Sequence, residues 1–207
     1  MKVTLLGDSI RQQYGPVVKE MLSDIAEVWA PQENCRFAQY TLRGLFDWAK
    51  NMDGSEIVHW NNGHWDVCCL FGDGTFTDED IYVKTMMRIL DILEKKNCRV
   101  IFATTTPVRN TNQYNKNEDI DRFNLRITSL LRERGVMIND LNALLRGDVE
   151  RYISEDAIHL TEEGIALCAE QVAASIREAA GMISAAPDNK SKIACGADAE
   201  VGAPVLL

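Results

Sequence analysis

Residue types able to divide the work of acyl transfer stand near the two ends of this chain. Gly7-Asp8-Ser9 follows the first apolar run, Val3-Thr4-Leu5-Leu6, and Asp156-Ala157-Ile158-His159 comes nearly a whole domain later. A serine in the loop leaving the carboxyl end of a strand can face a cleft while its N–H points at a developing oxyanion. A carboxylate three residues before an imidazole can reach one ring nitrogen within a single turn, which leaves the other nitrogen for a hydroxyl. Ser9 as nucleophile, His159 as base and Asp156 as orienting carboxylate therefore form a candidate triad. The competing use of Gly-Asp-Ser is as a helix cap, since Asp and Ser both cap well. Asp8 is expected to anchor the loop, not to react.

The chain has three histidines, and His159 is the one placed for base chemistry. His59 falls inside a strand-like run and reads as a core or edge residue. His64 and Trp65, in the loop Asn61-Asn62-Gly63-His64-Trp65-Asp66, are candidates for lining the substrate cleft. Trp60 reads as core, although an aromatic ring there would also suit a sugar platform. A metal site from His59, His64 and Asp66 is the weaker alternative, because the spacing is not diagnostic.

The elements that must position these groups follow from apolar periodicity. Short runs at Val3–Leu6, Glu27–Ala30, Glu56–Trp60, Arg99–Thr104 and Val136–Ile138 read as strands, with helical spacing between them. Tyr14-Gly15-Pro16 is expected to open a helix bearing Val17, Met21, Leu22 and Ile25, with proline in the first turn. Thr41 is expected to start another, carrying Leu42, Leu45, Phe46 and Trp48. Gly44 then falls in its first turn, where its N–H is open to a ligand; close helix packing is the other use of a glycine there. Thr77-Asp78-Glu79-Asp80 resembles a capping box ahead of Val83, Met87, Leu90 and Leu93. Ile120, Phe123, Leu125, Ile127 and Leu131 mark a further helix, and Ile165, Ala169, Val172 and Ile176 the last one. Strands alternating with helices imply a parallel sheet covered on both faces, and five strands suit a flavodoxin-like order.

Taken together these residues resemble the SGNH hydrolase family, also called the GDSL esterases and lipases. Gly7-Asp8-Ser9-Ile10 matches its first block and Asp156-Ala157-Ile158-His159 its last. Gly44, in Leu42-Arg43-Gly44-Leu45, matches the second-block glycine. The third block reads Trp60-Asn61-Asn62-Gly63 in place of Gly-x-Asn-Asp. That leaves Asn61 and Asn62 both open, with Asn62 preferred because aligning the strand ends puts it in register. The resemblance spans roughly residues 1–180. It implies a three-layer α/β/α sandwich and a hydrolase of small acyl esters, acetyl among them, that uses neither cofactor nor metal. It also implies an oxyanion hole made by the Ser9 N–H, the Gly44 N–H and the Asn62 side-chain amide. Acylated carbohydrates are the expected substrates, with lipase-type or acyltransfer chemistry as the alternative. A catalytically silent binding domain would have no need to keep Ser9, His159 and Asp156 together. A phosphate binder is disfavoured by the single glycine and the anionic Asp8 of the first loop.

Composition bounds the remaining possibilities. At 207 residues, with 46% hydrophobic and 26% charged residues, the chain suits one soluble globular domain. A net charge of -9 argues against nucleic acid as a partner. No apolar stretch approaches the ~20 residues needed to cross a bilayer, and the first apolar run is too short for a signal core. The expected location is therefore cytoplasmic, with no membrane partner, and the six cysteines are expected to be reduced thiols. Residues 1–182 are expected to form the domain. Residues 183–207, rich in Ala, Gly, Pro and Asp and without period, are expected to be a disordered tail.

Overall fold

The computed structural model describes residues 1–185; the tail expectation and Cys195 fall outside the described residues, apart from the last helix running to Ala185. The elements in order are β1 (Lys2–Leu6), α1 (Ser9–Met21), β2 (Glu27–Trp29), α2 (Ala38–Asp47), α3 (Ala49–Met52), β3 (Ile57–Trp60) and α4 (His64–Val67). There follow α5 (Glu79–Lys95), β4 (Arg99–Ala103), α6 (Asn117–Glu133), β5 (Met137–Asn139), α7 (Leu141–Arg146), α8 (Val149–Tyr152) and α9 (Glu162–Ala185). The five strands form one parallel sheet in the order β2-β1-β3-β4-β5. Leu6 pairs with Trp60 and Trp60 with Phe102, so the carboxyl ends of the three central strands lie level. The chain crosses to one side after β1 and to the other after β3. The loops leaving these two strands part there and leave a crevice at the switch point.

Alternation along the strands builds two cores, one on each face. Val3, Leu5, Ile57 and Ile101 pack with α1 and α9, the latter through Cys168, Val172 and Ile176. Leu6, Val58, Trp60 and Phe102 pack with α2, α5 and α6, where Leu45, Met86, Ile89 and Phe123 are buried. Each such side chain contributes about 1.5–3 kcal/mol when taken from water. The arrangement is the expected three-layer α/β/α sandwich.

Several helix boundaries differ from the sequence expectation. Helix α1 begins at Ser9, because the Asp8 carboxylate accepts the Ile10 N–H at 3.0 Å and caps it. Pro16 therefore lies inside the helix, on its exposed side, not in the first turn. Helix α2 begins at Ala38, three residues before Thr41. Its first N–H is taken by the Asp66 carboxylate at 3.1 and 3.2 Å, a partner 28 residues away. Asp78, not Thr77, caps α5. Phe46 and Leu125 face solvent, since their neighbours Leu45 and Asn124 take the buried positions.

Candidate active site

Ser9 is the first residue of α1, and its N–H precedes the intrahelical ladder. The facing loop, residues 153–160, is a tight reversal after α8. Ile153 and Leu160 form an antiparallel bridge, and the Ser154 N–H donates to the His159 carbonyl at 2.7 Å. Ala157 at its tip takes a left-handed φ of 69°. Gly164, in the first turn of α9, allows α8 to approach: a Cβ there would lie 2.4 Å from the Tyr152 carbonyl oxygen. This reversal puts Asp156 and His159 on one side of the loop, over Ser9.

Ser9 Oγ lies 2.9 Å from His159 Nε2, and His159 Nδ1 lies 2.6 Å from Asp156 Oδ2. The carboxylate partner makes Nδ1 the protonated nitrogen, so Nε2 is left to accept from the serine. The other carboxylate oxygen, Asp156 Oδ1, accepts from Ser154 Oγ at 2.7 Å, His159 N at 2.9 Å and Ile158 N at 3.1 Å. Partial burial of Asp156 pushes its carboxyl upward. The hydrogen bonds from the His159 and Ile158 N–H groups, Ser154 and the His159 ring outweigh it and hold the group well below the usual carboxylate range. The carboxylate is thus ionised and fixed in orientation, although about half exposed.

Two further residues fix the histidine loop, and the spacing of neither marks it in the sequence. Gln13, one turn along α1 from Ser9, accepts the Leu160 N–H at 2.9 Å and donates to the Leu160 carbonyl at 3.3 Å. Arg109, in the loop after β4, donates to the Ile153 carbonyl at 2.7 Å and the Glu150 carbonyl at 2.7 Å, and pairs with the Glu150 carboxylate at 2.8 Å. The Arg109 N–H also donates to the Ala157 carbonyl at 3.1 Å. The helix carrying the serine is therefore tied directly to the loop carrying the histidine.

The third-block residues separate to opposite faces of the sheet, as alternation requires. Asn62 is fully buried; its Oδ1 accepts from Trp60 Nε1 at 2.7 Å and its Nδ2 donates to the Arg36 carbonyl at 2.8 Å. The second N–H of this amide has no acceptor among the described residues. Arg36 presents its carbonyl from a left-handed φ of 50°, held by its N–H donating to Asn34 Oδ1 at 2.7 Å. Asn61 instead donates from Nδ2 to the Ala103 carbonyl at 3.1 Å, beneath Gly7.

Gly44 is not where the sequence places it. With α2 starting at Ala38, Gly44 lies in the second turn, where N–H groups belong to the helical ladder. The Trp48 ring lies against it, 2.3 Å from where a Cβ would be. Gly44 serves close packing, the other use considered for it. His64 is also displaced from its expected role. Its ring is buried, with Nε2 sharing a hydrogen bond with Thr106 Oγ1 at 2.8 Å and Nδ1 enclosed without a partner. Burial, then the neighbouring His159, push its pKa down, against the pull of Asp8. Trp65 is 41% exposed, with the Arg36 guanidinium 5.9 Å from its ring centre. His59 is buried and neutral, its Nε2 3.1 Å from the Asn139 amide. Burial pushes its pKa down to about 3.

No protein-family model and no curated protein matches this sequence. Solved structures do match its shape. An acetyl xylan esterase superposes with a TM-score of 0.73 at 22% identity, covering 85% of this chain and 100% of its own. A lipase/acylhydrolase from Enterococcus faecalis gives 0.74 at 13% identity over 86% of this chain and 96% of its own. A carbohydrate esterase family 3 protein from Talaromyces cellulolyticus gives 0.70 at 18%, over 88% and 99%. With the first and last sequence blocks brought to one crevice at the carboxyl ends of a 2-1-3-4-5 parallel sheet, the chain has the SGNH (GDSL) hydrolase fold.

Proposed function

We propose that this protein is a serine esterase that hydrolyses small acyl esters, acetyl esters of carbohydrates foremost, through Ser9, His159 and Asp156. The observation that carries this reading is the continuous Ser9–His159–Asp156 hydrogen-bond chain at 2.9 and 2.6 Å, assembled from opposite ends of the sequence. In the reaction, Ser9 Oγ attacks the ester carbonyl while His159 Nε2 takes its proton. His159 then returns the proton to the leaving alcohol, and water releases the acid from the acyl-enzyme by the same route. Asp156 holds the imidazole tautomer and stabilises the cation. The Ser9 N–H and the free N–H of the Asn62 amide are the donors for the tetrahedral oxyanion; each such donor is typically worth about 3 kcal/mol. Gly44, inside its helix, is left out of this hole. Trp65 offers an exposed ring for the alcohol portion. Fold neighbours named for acetyl xylan and carbohydrate esters support sugar esters, and one named a lipase/acylhydrolase supports the lipase-type alternative.

A panel of nitrophenyl esters from acetyl to octanoyl, run beside acetylated xylo-oligosaccharides, tests this reading. The expected result is the highest kcat/KM for acetyl, with release of acetate from the sugar. A preference for octanoyl would move the assignment to lipase-type chemistry. Absence of turnover on every ester would favour the catalytically silent binding domain.

A further inference from the structure

An apolar surface that the triad does not use borders the Ser9 crevice. Among the described residues nine large hydrophobic side chains are exposed, and five of them, Trp65, Leu70, Phe71, Phe76 and Tyr114, come from just two segments. These are residues 65–76 and the turn 112–115, and they touch: the Cys69 N–H donates to the Tyr114 carbonyl at 2.8 Å. Both are tied to the catalytic loops. Asn115 Nδ2 donates to the His64 carbonyl at 2.8 Å, two residues after Asn62. Asn112 Nδ2 donates to the Ala157 carbonyl at 3.3 Å, two residues before His159. Asn112 Oδ1 also accepts the Tyr114 and Asn115 N–H groups at 3.0 and 2.7 Å, so the turn that presents Tyr114 is fixed through its backbone. The Phe76 and Phe37 ring centres are 5.4 Å apart, and Phe37 adjoins Arg36, whose carbonyl holds the Asn62 amide. Phe71, at 81% exposure, and Tyr114, at 52%, stand in solvent.

Clustered exposed hydrophobic side chains mark a surface that another molecule covers, and charge narrows what that molecule is. Segments 67–77 and 110–115 carry a single charge, Asp73, in a chain that is 26% charged. No lysine or arginine stands between Lys50 and Lys84, so an anionic bilayer finds no cation in the first segment. The exposed neighbours of Tyr114 are Asn110, Thr111 and Gln113, which offer hydroxyl and amide donors and acceptors. Against a lipid surface these groups would lose water without gaining partners. Aromatic faces beside uncharged amides suit sugar rings, with their C–H faces and hydroxyl edges. We propose that this surface holds a neutral polysaccharide chain, with Trp65, Phe71 and Tyr114 against its sugar rings, while one acylated unit enters the crevice. The proposal rests on the sugar-ester reading of the site and extends it from short esters to a polymer.

The test is affinity gel electrophoresis in hydroxyethyl cellulose and in alkali-extracted arabinoxylan, polymers that carry neither charge nor ester. Wild type is expected to be retarded, increasingly with polymer concentration, by at least one of them. In the double variant Phe71→Ala/Tyr114→Ala the dissociation constant should rise about tenfold or more, the size expected for two lost aromatic contacts. Both side chains are exposed and the backbone bonds of Tyr114 survive its truncation, so the fold should hold. Phe46→Ala, at the far end of α2 from Phe37, removes another exposed ring and should migrate as wild type does. An unretarded wild type, or equal constants in wild type and double variant, would overturn the proposal. So would binding to phosphatidylcholine vesicles, lost in the double variant, with no binding to either polymer; that result would assign the surface to lipid. Neither polymer offers Ser9 a scissile bond, so the two readings fail separately. Retardation without turnover of any ester would count against the triad alone, and ester turnover without retardation against this surface alone.

Discussion

At the residue scale, the two asparagines after β3 have distinct tasks. Asn62 gives one amide N–H to Arg36 and its carbonyl to Trp60, which fixes the plane of the group and aims the remaining N–H. If that N–H meets the oxyanion, the bond strengthens only as charge develops. Asn62→Ala should then lower kcat by roughly 10²–10³ with little change in KM. Asn61→Ala removes a buried bond to the Ala103 carbonyl and should cost about 1–3 kcal/mol of stability, read in urea unfolding, with a far smaller loss of kcat. The reverse pattern would shift the third block by one residue. That the two side chains part to opposite faces was legible from strand register alone. The Arg36 turn that orients Asn62 was not, because a non-glycine residue at positive φ carries no sequence signal when an Asx turn imposes it.

At the element scale, α1 does two jobs with one face. Ser9 and Gln13 are four residues apart, so they lie one above the other, and Gln13 holds both backbone groups of Leu160. Gln13→Ala should loosen the His159 loop against the serine and lower kcat roughly 10–100-fold, with KM and Tm nearly unchanged. Gln13→Glu retains the acceptor for the Leu160 N–H and should fall between the two. Wild-type kcat in Gln13→Ala would mean that the Arg109 clamp alone suffices. The helix itself was only partly legible: Pro16 suggested a start near Tyr14, but the Asp8 cap sets it at Ser9. In α2 the signal was more remote still. Thr41 has the chemistry of a cap, but the Asp66 carboxylate reaches Ala38 across the fold and starts the helix a turn earlier. Gly44 was misplaced for that reason alone.

At the scale of the whole molecule, the layer order and the convergence of the chain's two ends follow from strand–helix alternation and the terminal motifs, both visible in the sequence. Burial of His59 was visible from its place in a strand; that of Asp66, which depends on packing across the fold, was not. The two give opposed pH signatures. Burial lowers His59 from 6.5 to about 3, so the unfolded chain binds the extra proton and stability is lost as pH falls below 6.5. Burial, against hydrogen bonds from Thr77 and Ala38, raises Asp66 from 3.8 to about 7, so its contribution is present at low pH and lost as pH rises toward 7. His59→Gln should therefore make stability fall more steeply, or rise less, between pH 4 and 6.5, and Asp66→Asn should do the opposite. Urea unfolding at half-unit pH steps reads both slopes, and wild-type slopes in both variants would contradict the assignment.

Esterase chemistry here requires that Ser9 be a nucleophile activated by His159. A fluorophosphonate probe forms a covalent bond only with an activated serine, and peptide mapping locates the adduct. A single adduct on Ser9 is expected in the wild type, with sharply slowed labelling in His159→Ala. No adduct is expected in Ser9→Ala, whose Tm should stay near wild type because Asp8 supplies the cap. Labelling that persists in Ser9→Ala, or an unlabelled wild type, would contradict that requirement.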